Sequence, residues 1–325
     1  MDKKILHLSR FGAVFAFIVI IVGAYTRLTD AGLGCPDWPG CYGNWKVPST
    51  GQELGTANGL YPGVQIESAK AWTEMFHRYI AGTLGLVIFA ISCLLIKQRS
   101  YLFGISLSAL VIFQAILGMW TVTLGLYPLA VMGHLLGGLT LFSLLAWLGI
   151  SKSHKAINIP LSLNVIAKIS ILILFIQIFL GGWTSANYAA LVCADFPTCQ
   201  GQWWPKMDWA LAFSFTDVGI FNSPGTALEN PARITIQVAH RIGALITTIT
   251  LLTLSYHAFR TQEKNMRIFS VATLLLLILQ VSLGISNVLA GLPLHVALAH
   301  NGVAVLLLLM VILINKRCSY VPSKI

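Results

Sequence analysis

Charge is what this sequence has least of. Of 325 residues only 10% are charged, while 56% are hydrophobic. A soluble domain of this length devotes roughly a quarter of its residues to Asp, Glu, Lys and Arg, so a water-covered surface is excluded and a lipid-covered one is implied. Two chemical signatures are also missing. No His-Glu-x-x-His pair or Cys/His cluster sits at the spacing of a zinc or copper site on one helix. None of the six cysteines forms the Cys-x-x-Cys pair expected of a disulfide-exchange protein. The formal net charge of +10 would point to an anionic partner in a soluble chain. In a chain this apolar the basic residues report topology instead, and no nucleic-acid partner is expected.

What is present is a series of eight apolar runs, each long enough at about 20 residues to span a bilayer. They lie near 11–29, 73–96, 102–124, 129–150, 164–187, 232–257, 268–290 and 295–315. With the N-terminus inside, most basic residues fall on the cytoplasmic side, among them Lys3, Lys4, Arg10, Lys97, Arg99, Lys152, Lys155, Lys168 and, later, Arg260, Lys264, Arg267, Lys316, Arg317 and Lys324. All acids but Asp2 and Glu263 fall outside or at the outer face. Both termini are therefore expected in the cytoplasm, with long external loops at about 30–72 and 188–231. The basic start followed by the apolar run from Phe11 to Ala24 has the look of a signal peptide. No Ala-x-Ala-like cleavage site follows, and the segment has a counterpart in mid-chain, so a retained span is expected.

That counterpart belongs to an internal duplication. Gly23-Ala-Tyr-Thr26 matches Gly181-Gly-Trp-Thr184, and Cys35-Pro-Asp-Trp-Pro-Gly-Cys41 matches Cys193-Ala-Asp-Phe-Pro-Thr-Cys199. His77-Arg78 matches His240-Arg241, Gln114-x-x-Leu-Gly118 matches Gln280-x-x-Leu-Gly284, and His134 matches His300. Apolar helices align readily on Leu, Ile and Val alone, but two cysteines and two histidines in the same order do not. The expected fold is all-α: a polytopic membrane protein of eight spans, arranged as two four-helix bundles, residues 1–157 and 158–325. An even number of spans per copy gives both the same orientation, related by a pseudo-twofold axis along the membrane normal.

His77, His134, His240 and His300 each lie a few residues inside the outer end of an even-numbered span, roughly 6–12 Å below the surface at 1.5 Å per residue. One intramembrane histidine is most simply a hydrogen-bonded packing residue. Four at matched depth in repeated positions are better explained by function, and a pair on facing helices suits the two axial positions of a haem iron. Glycines follow each histidine on its own helix (Gly82, Gly137 with Gly138, Gly243, Gly302), where a missing Cβ lets a porphyrin or another helix approach the backbone closely. His7, His154 and His257 lie at the cytoplasmic side without repeat partners. His295 opens the last span near the outer mouth, where a secondary role stays open.

Two readings stand for Arg78 and Arg241, which follow their histidines: forked contacts to haem propionates, or snorkelling to the interface. Glu74 lies three residues before His77 and shares its helix face, whereas the matching residue in the second half is the neutral Gln237. A carboxylate in one half only divides the labour, the first half having the group that moves protons or stabilises positive charge. A glutamate near a helix N-terminus is also favoured by the dipole alone. The external pairs Cys35 with Cys41 and Cys193 with Cys199 are expected to oxidise outside the cytoplasm. Cys193–Cys199 reads as a structural clip, while Cys35–Cys41 is open to either a structural or a redox role. Cys93 and Cys318 are cytoplasmic and expected reduced. Trp38, Trp45, Trp72, Trp203, Trp204 and Trp209 suit an interfacial belt.

Taken over its whole length, the chain resembles the heme A synthase family, which hydroxylates heme O for cytochrome oxidases. The resemblance is carried by Arg27-Leu-Thr-x-Ala-Gly-Leu-Gly-Cys35, by Glu74-Met-Phe-His77-Arg78, by the three other matched histidines and by the cysteine pairs. It implies successive hydroxylation of a ring methyl of heme O to the formyl group of heme A. It further implies heme b as cofactor between His240 and His300, with heme O as substrate at His77 and His134, Glu74 beside the chemistry, and Cys35 and Cys41 as the pair considered for function. Heme O, the lipid bilayer, a heme O synthase, an electron donor and a second copy of the chain are the partners the resemblance brings into view, in a bacterial-type plasma membrane with the cysteine loops outside. Rival classes are a quinol-linked bis-haem electron carrier, a disulfide-exchange protein and a transporter. Disulfide exchange leaves the deep histidines unexplained, and the midplane lacks the broken helices and polar groups of a transporter's substrate path.

Overall fold

The computed structural model describes residues 2–150, 160–215, 228–261 and 263–318; Lys152, His154, Lys155 and Lys324 lie outside them. Inside hydrocarbon no water is available to the backbone, so every N–H and C=O must bond within its own segment. Runs rich in Ile and Val, weak helix formers in water, are helical here for that reason. The described residues form ten α-helices and no sheet: α1 Lys3–Leu28, α2 Gly51–Leu60, α3 Ser68–Lys97, α4 Tyr101–Thr123, α5 Pro128–Gly149, α6 Leu161–Ala186, α7 Trp209–Ala212, α8 Asn230–Phe259, α9 Lys264–Leu289 and α10 Leu294–Cys318. Eight of them, all but α2 and α7, are long and apolar enough to cross a membrane, so the expected all-helical, multi-pass architecture is present. α3 and α8 begin at Ser68 and Asn230, ahead of the spans expected from hydropathy at 73 and 232. Their polar first turns, Ser68-Ala-Lys-Ala and Asn230-Pro-Ala-Arg, hide the helix start from a hydropathy scan.

The helix ends repeat in atomic detail. α1 and α6 each close on a left-handed residue, Asp30 and Tyr188, with Ala31 N–H donating to Thr26 O and Ala189 N–H to Thr184 O, both at 2.9 Å. α4 and α9 each close on a left-handed pair, Gly125-Leu126 and Gly291-Leu292. There Leu126 N–H donates to Thr121 O at 2.8 Å and Leu292 N–H to Asn287 O at 2.7 Å. These bonds satisfy carbonyls that the helix leaves orphaned. The tight turns also set α5 and α10 in the same register, which fixes the heights of His134 and His300.

The described residues divide into two compact units, the first Val14–Leu141 and the second Phe142–Phe213 with Leu228 onward and the residues up to Ala13, so that the division cuts α1 and α5. Within the second, α6 packs on α8, α8 on α9, α9 on α10 and α10 back on α6. Asn315 Nδ2 donates to Ala167 O at 2.7 Å and Ser270 Oγ to Ser255 O at 2.7 Å, bonding α10 to α6 and α9 to α8. Within the first, α3 packs on α4, Gly23 of α1 meets α3, and Gly118 of α4 meets α5.

The two cysteine loops share one fold. Disulfides Cys35–Cys41 and Cys193–Cys199 are both formed, as the sequence led us to expect. Inside each ring an aspartate takes two backbone amides. Asp37 accepts from Tyr42 at 2.6 Å and Gly43 at 2.9 Å, and Asp195 from Gln200 at 2.6 Å and Gly201 at 2.9 Å. Cys35, Cys41 and Tyr42 bury against Ala71 and Met75 of α3 and Ala57 of α2, and Cys193 and Cys199 against Ile234 and Val238 of α8. The first loop sits closer to its helix than a side chain would allow. A Cβ on Gly34 would lie 2.6 Å from the carbonyl carbon of Lys70 and 2.7 Å from Ala71 N. Both are backbone atoms, so the clash can be relieved only by moving the loop. Gly34→Ala is expected to destabilise the protein by about 1–3 kcal/mol, the usual cost of overpacking. The drop in melting temperature in detergent measures it, and an unchanged melt would show that the loop is not held at this distance.

Candidate functional site

Each of the four histidines lies against a glycine of the neighbouring helix. A Cβ on Gly23 of α1 would come 2.8 Å from His77 Cε1. On Gly118 of α4 it would come 3.2 Å from His134 Cε1, on Gly181 of α6 3.1 Å from His240 Cε1, and on Gly284 of α9 3.1 Å from His300 Cε1. The imidazole takes the space beside a bare Cα, so ring and helix fix one another. These glycines mark the repeat in the sequence, but nothing there says that they carry the rings. The glycines on the histidines' own helices serve differently. Gly82 faces open space, whereas Gly137 and Gly243 are filled by the side chains of Gln114 and Gln177.

The polar contacts of the rings follow from those packings. His134 Nδ1 lies 3.2 Å from the Gln114 carbonyl oxygen. A carbonyl only accepts, so Nδ1 carries the proton and Nε2 keeps its lone pair, the tautomer that ligates a metal. The Gln177 amide reaches His240 Nδ1 at 3.0 Å, and the Gln280 amide reaches His300 Nε2 at 3.3 Å. His77 Nδ1 and His300 Nδ1 are buried without a hydrogen-bond partner among the described residues. His77 with His134, and His240 with His300, are close enough to feel one another's charge, and each histidine is half-buried. Among the described residues no three His, Cys, Asp or Glu side chains converge as a metal cluster would. Two neutral imidazoles on different helices of each half would suit a porphyrin iron, which needs no third ligand from the protein.

Above His77 sits a carboxylate that the second half lacks. Glu74 is 4% exposed. Its Oε2 accepts from Cys35 N–H at 2.8 Å, and its Oε1 pairs with Arg78 Nη2 at 2.5 Å. Arg78 Nη1 donates to the loop carbonyls of Asp37 at 2.9 Å, Pro39 at 3.3 Å and Gly40. In the second half Arg241 makes the same clasp. It donates to Thr198 O at 2.6 Å, Asp195 O at 2.8 Å, Cys193 O at 3.2 Å and Pro197 O at 3.3 Å. The structure thus commits both guanidiniums to the disulfide loops, a role the sequence did not disclose because the carbonyl acceptors have no residue signature. Gln237, also 4% exposed, replaces Glu74, and its Oε1 has no partner among the described residues.

The remaining candidates lie elsewhere. His7 and His295 are exposed and His257 is half-buried against Tyr256. All six loop tryptophans are exposed, as an interfacial belt requires. Cys93 is exposed and Cys318 buried, and both are free thiols.

Asp195 offers a test of the loop. The Thr198 hydroxyl, then the Gly201 and Gln200 amides, lower its carboxyl from 3.8 to about 2. A depressed folded pKa means that the aspartate's support is complete above the unfolded value near 4 and is lost as pH falls through about 2. Reduction of Cys193–Cys199 by a phosphine is therefore expected to quicken between pH 4 and pH 2. In Asp195→Asn it should be fast already at pH 6 and lose that pH step. Equal rates in both proteins at pH 6 would contradict this role.

The arrangement has parallels among known proteins. The family model for cytochrome oxidase assembly protein (COX15-CtaA) matches residues 7–312. The chain is 48% identical over 315 residues to the heme A synthase of Shewanella oneidensis, covering 95% of this chain and 94% of that one. It is 28% identical over 323 residues to the heme A synthase of Rhizorhabdus wittichii (91% and 88% covered), and 26% identical over 318 residues to that of Bacillus licheniformis (92% and 91%). Paired intramembrane histidines, the cysteine loops and a match along nearly the entire length agree: the chain belongs to the COX15-CtaA family of cytochrome oxidase assembly proteins, that of the heme A synthases.

Proposed function

We propose that this protein oxidises a ring methyl group of heme O to the formyl group of heme A by successive hydroxylations. The first half (residues 1–157) takes heme O as substrate between His77 and His134. The second (158–325) holds heme b between His240 and His300. The observation that carries this division is the exchange of the buried, ion-paired Glu74 for the neutral Gln237 at the matching place in the repeat. The protein lies in a bacterial-type plasma membrane, with cytoplasmic termini and the cysteine loops outside, as the distribution of basic residues supports.

When bound, heme b supplies one-electron redox chemistry. The chain's own part is to place and to polarise. His77 and His134, each seated on a glycine, orient the substrate. Glu74 is held by Arg78 and the Cys35 amide, so its charge is fixed in a water-poor site, where it favours positive charge developing on the oxidised ring. The Cys35–Cys41 loop, clasped by Arg78, keeps that carboxylate in place, which gives the disulfide a structural duty whatever its redox behaviour.

Glu74→Gln keeps the shape and removes the charge. It is expected to retain heme O while conversion falls by about 100-fold or more, read as the ratio of heme A to heme O extracted from the purified protein. Conversion at the wild-type rate would remove the carboxylate from the chemistry and, with it, the division of labour drawn from Glu74.

A further inference from the structure

The halves repeat the histidine–glycine contact but differ one helical turn away from it. Gln177 stands four residues before Gly181 on α6, hence on the face that meets His240. Its Nε2 lies 3.0 Å from His240 Nδ1 and 3.2 Å from His240 O. The same side chain fills the place that a Cβ on Gly243 would take. The matching positions in the first half are Val19, four residues before Gly23, and Ile80, three after His77. A glutamine and the gap that admits it thus occur together in one half, and both become branched aliphatics in the other. The other ring of each half is met by the matching glutamine, His134 by the Gln114 carbonyl and His300 by the Gln280 amide.

An imidazole that ligates iron through Nε2 carries its proton on Nδ1, and an acceptor at Nδ1 orients the ring and strengthens its donation to the metal. Gln177 Oε1 is buried and has no partner among the described residues. As placed, the Gln177 amide nitrogen donates to His240 O and faces Nδ1; a half-turn of the terminal torsion gives up the bond to His240 O and turns Oε1 to Nδ1, so ligation of iron through Nε2 goes with rotation of this amide into the accepting position. We propose that Gln177 is a positioning residue for the haem of the second half, locking the His240 ring and lowering the reduction potential of the iron it ligates. This rests on the haem assignment above.

The test compares Gln177→Val, which installs the first-half residue, with Gly243→Ala, which keeps the glutamine and pushes its amide out of the gap. Potentiometry and low-temperature electron paramagnetic resonance follow the haem that is lost in His240→Ala. Both variants are expected to shift the ferric-to-ferrous preference about tenfold toward ferrous, a rise of ~59 mV for one electron. They should also move the low-spin signal and speed haem transfer to apomyoglobin about tenfold. Gln177→Glu, which keeps an acceptor, stays at or below the wild-type potential. Unchanged potential, spectrum and transfer rate in Gln177→Val, with haem still lost in His240→Ala, would overturn the role of Gln177 alone. His240→Ala retaining its full haem would overturn the assignment of the site and this proposal with it.

Discussion

The contact between an imidazole ring and the bare Cα of a glycine on the next helix is the constraint on which the rest of this structure depends. It occurs four times, at Gly23, Gly118, Gly181 and Gly284. Helices in lipid gain little from hydrophobic burial against one another, so close backbone approach and polar contacts hold them. Here one contact does both. It draws α1 to α3, α4 to α5, α6 to α8 and α9 to α10, and it turns a titratable ring inward at a fixed height. Any side chain at those glycines displaces a histidine and separates two helices.

On that repeated frame the chemistry is asymmetric in only a few places. Glu74 stands against Gln237, Gly34 against Val192, and Val19 with Ile80 against Gln177 with Gly243. The first two changes draw the Cys35–Cys41 loop onto α3 and give its Cys35 amide a charged acceptor. The third supplies His240 with an amide that His77 lacks. An ancestral pair of equivalent sites would diverge into a reacting half and a retaining half through changes of this kind. A buried carboxylate is expensive in a membrane, and this one is kept through its ion pair and loop amides.

Much of this was legible in the sequence because it rests on period and rarity. Eight apolar runs predict eight spans, and scarce cysteines and histidines at a near-constant offset reveal the duplication. Both disulfides follow from their external position. What stayed hidden depends on backbone partners. The arginines read as propionate or interface residues, since the carbonyls of Asp37, Pro39, Gly40, Asp195 and Thr198 that they clasp belong to no motif. The glycines next in sequence to the histidines drew attention, while the glycines that seat the rings come from other helices. Gln177 carried no signal until its neighbour across the helix pair was known.

The most direct test of the account is the chemical identity of the haem that leaves the protein. Purified from cells supplied with heme O, extracted in acid-acetone and weighed by mass spectrometry, the protein is predicted to yield heme A or its hydroxylated precursor alongside heme b, with the modified haem absent in His77→Ala. Heme b alone, in two equivalents, would contradict the division between a substrate half and a cofactor half.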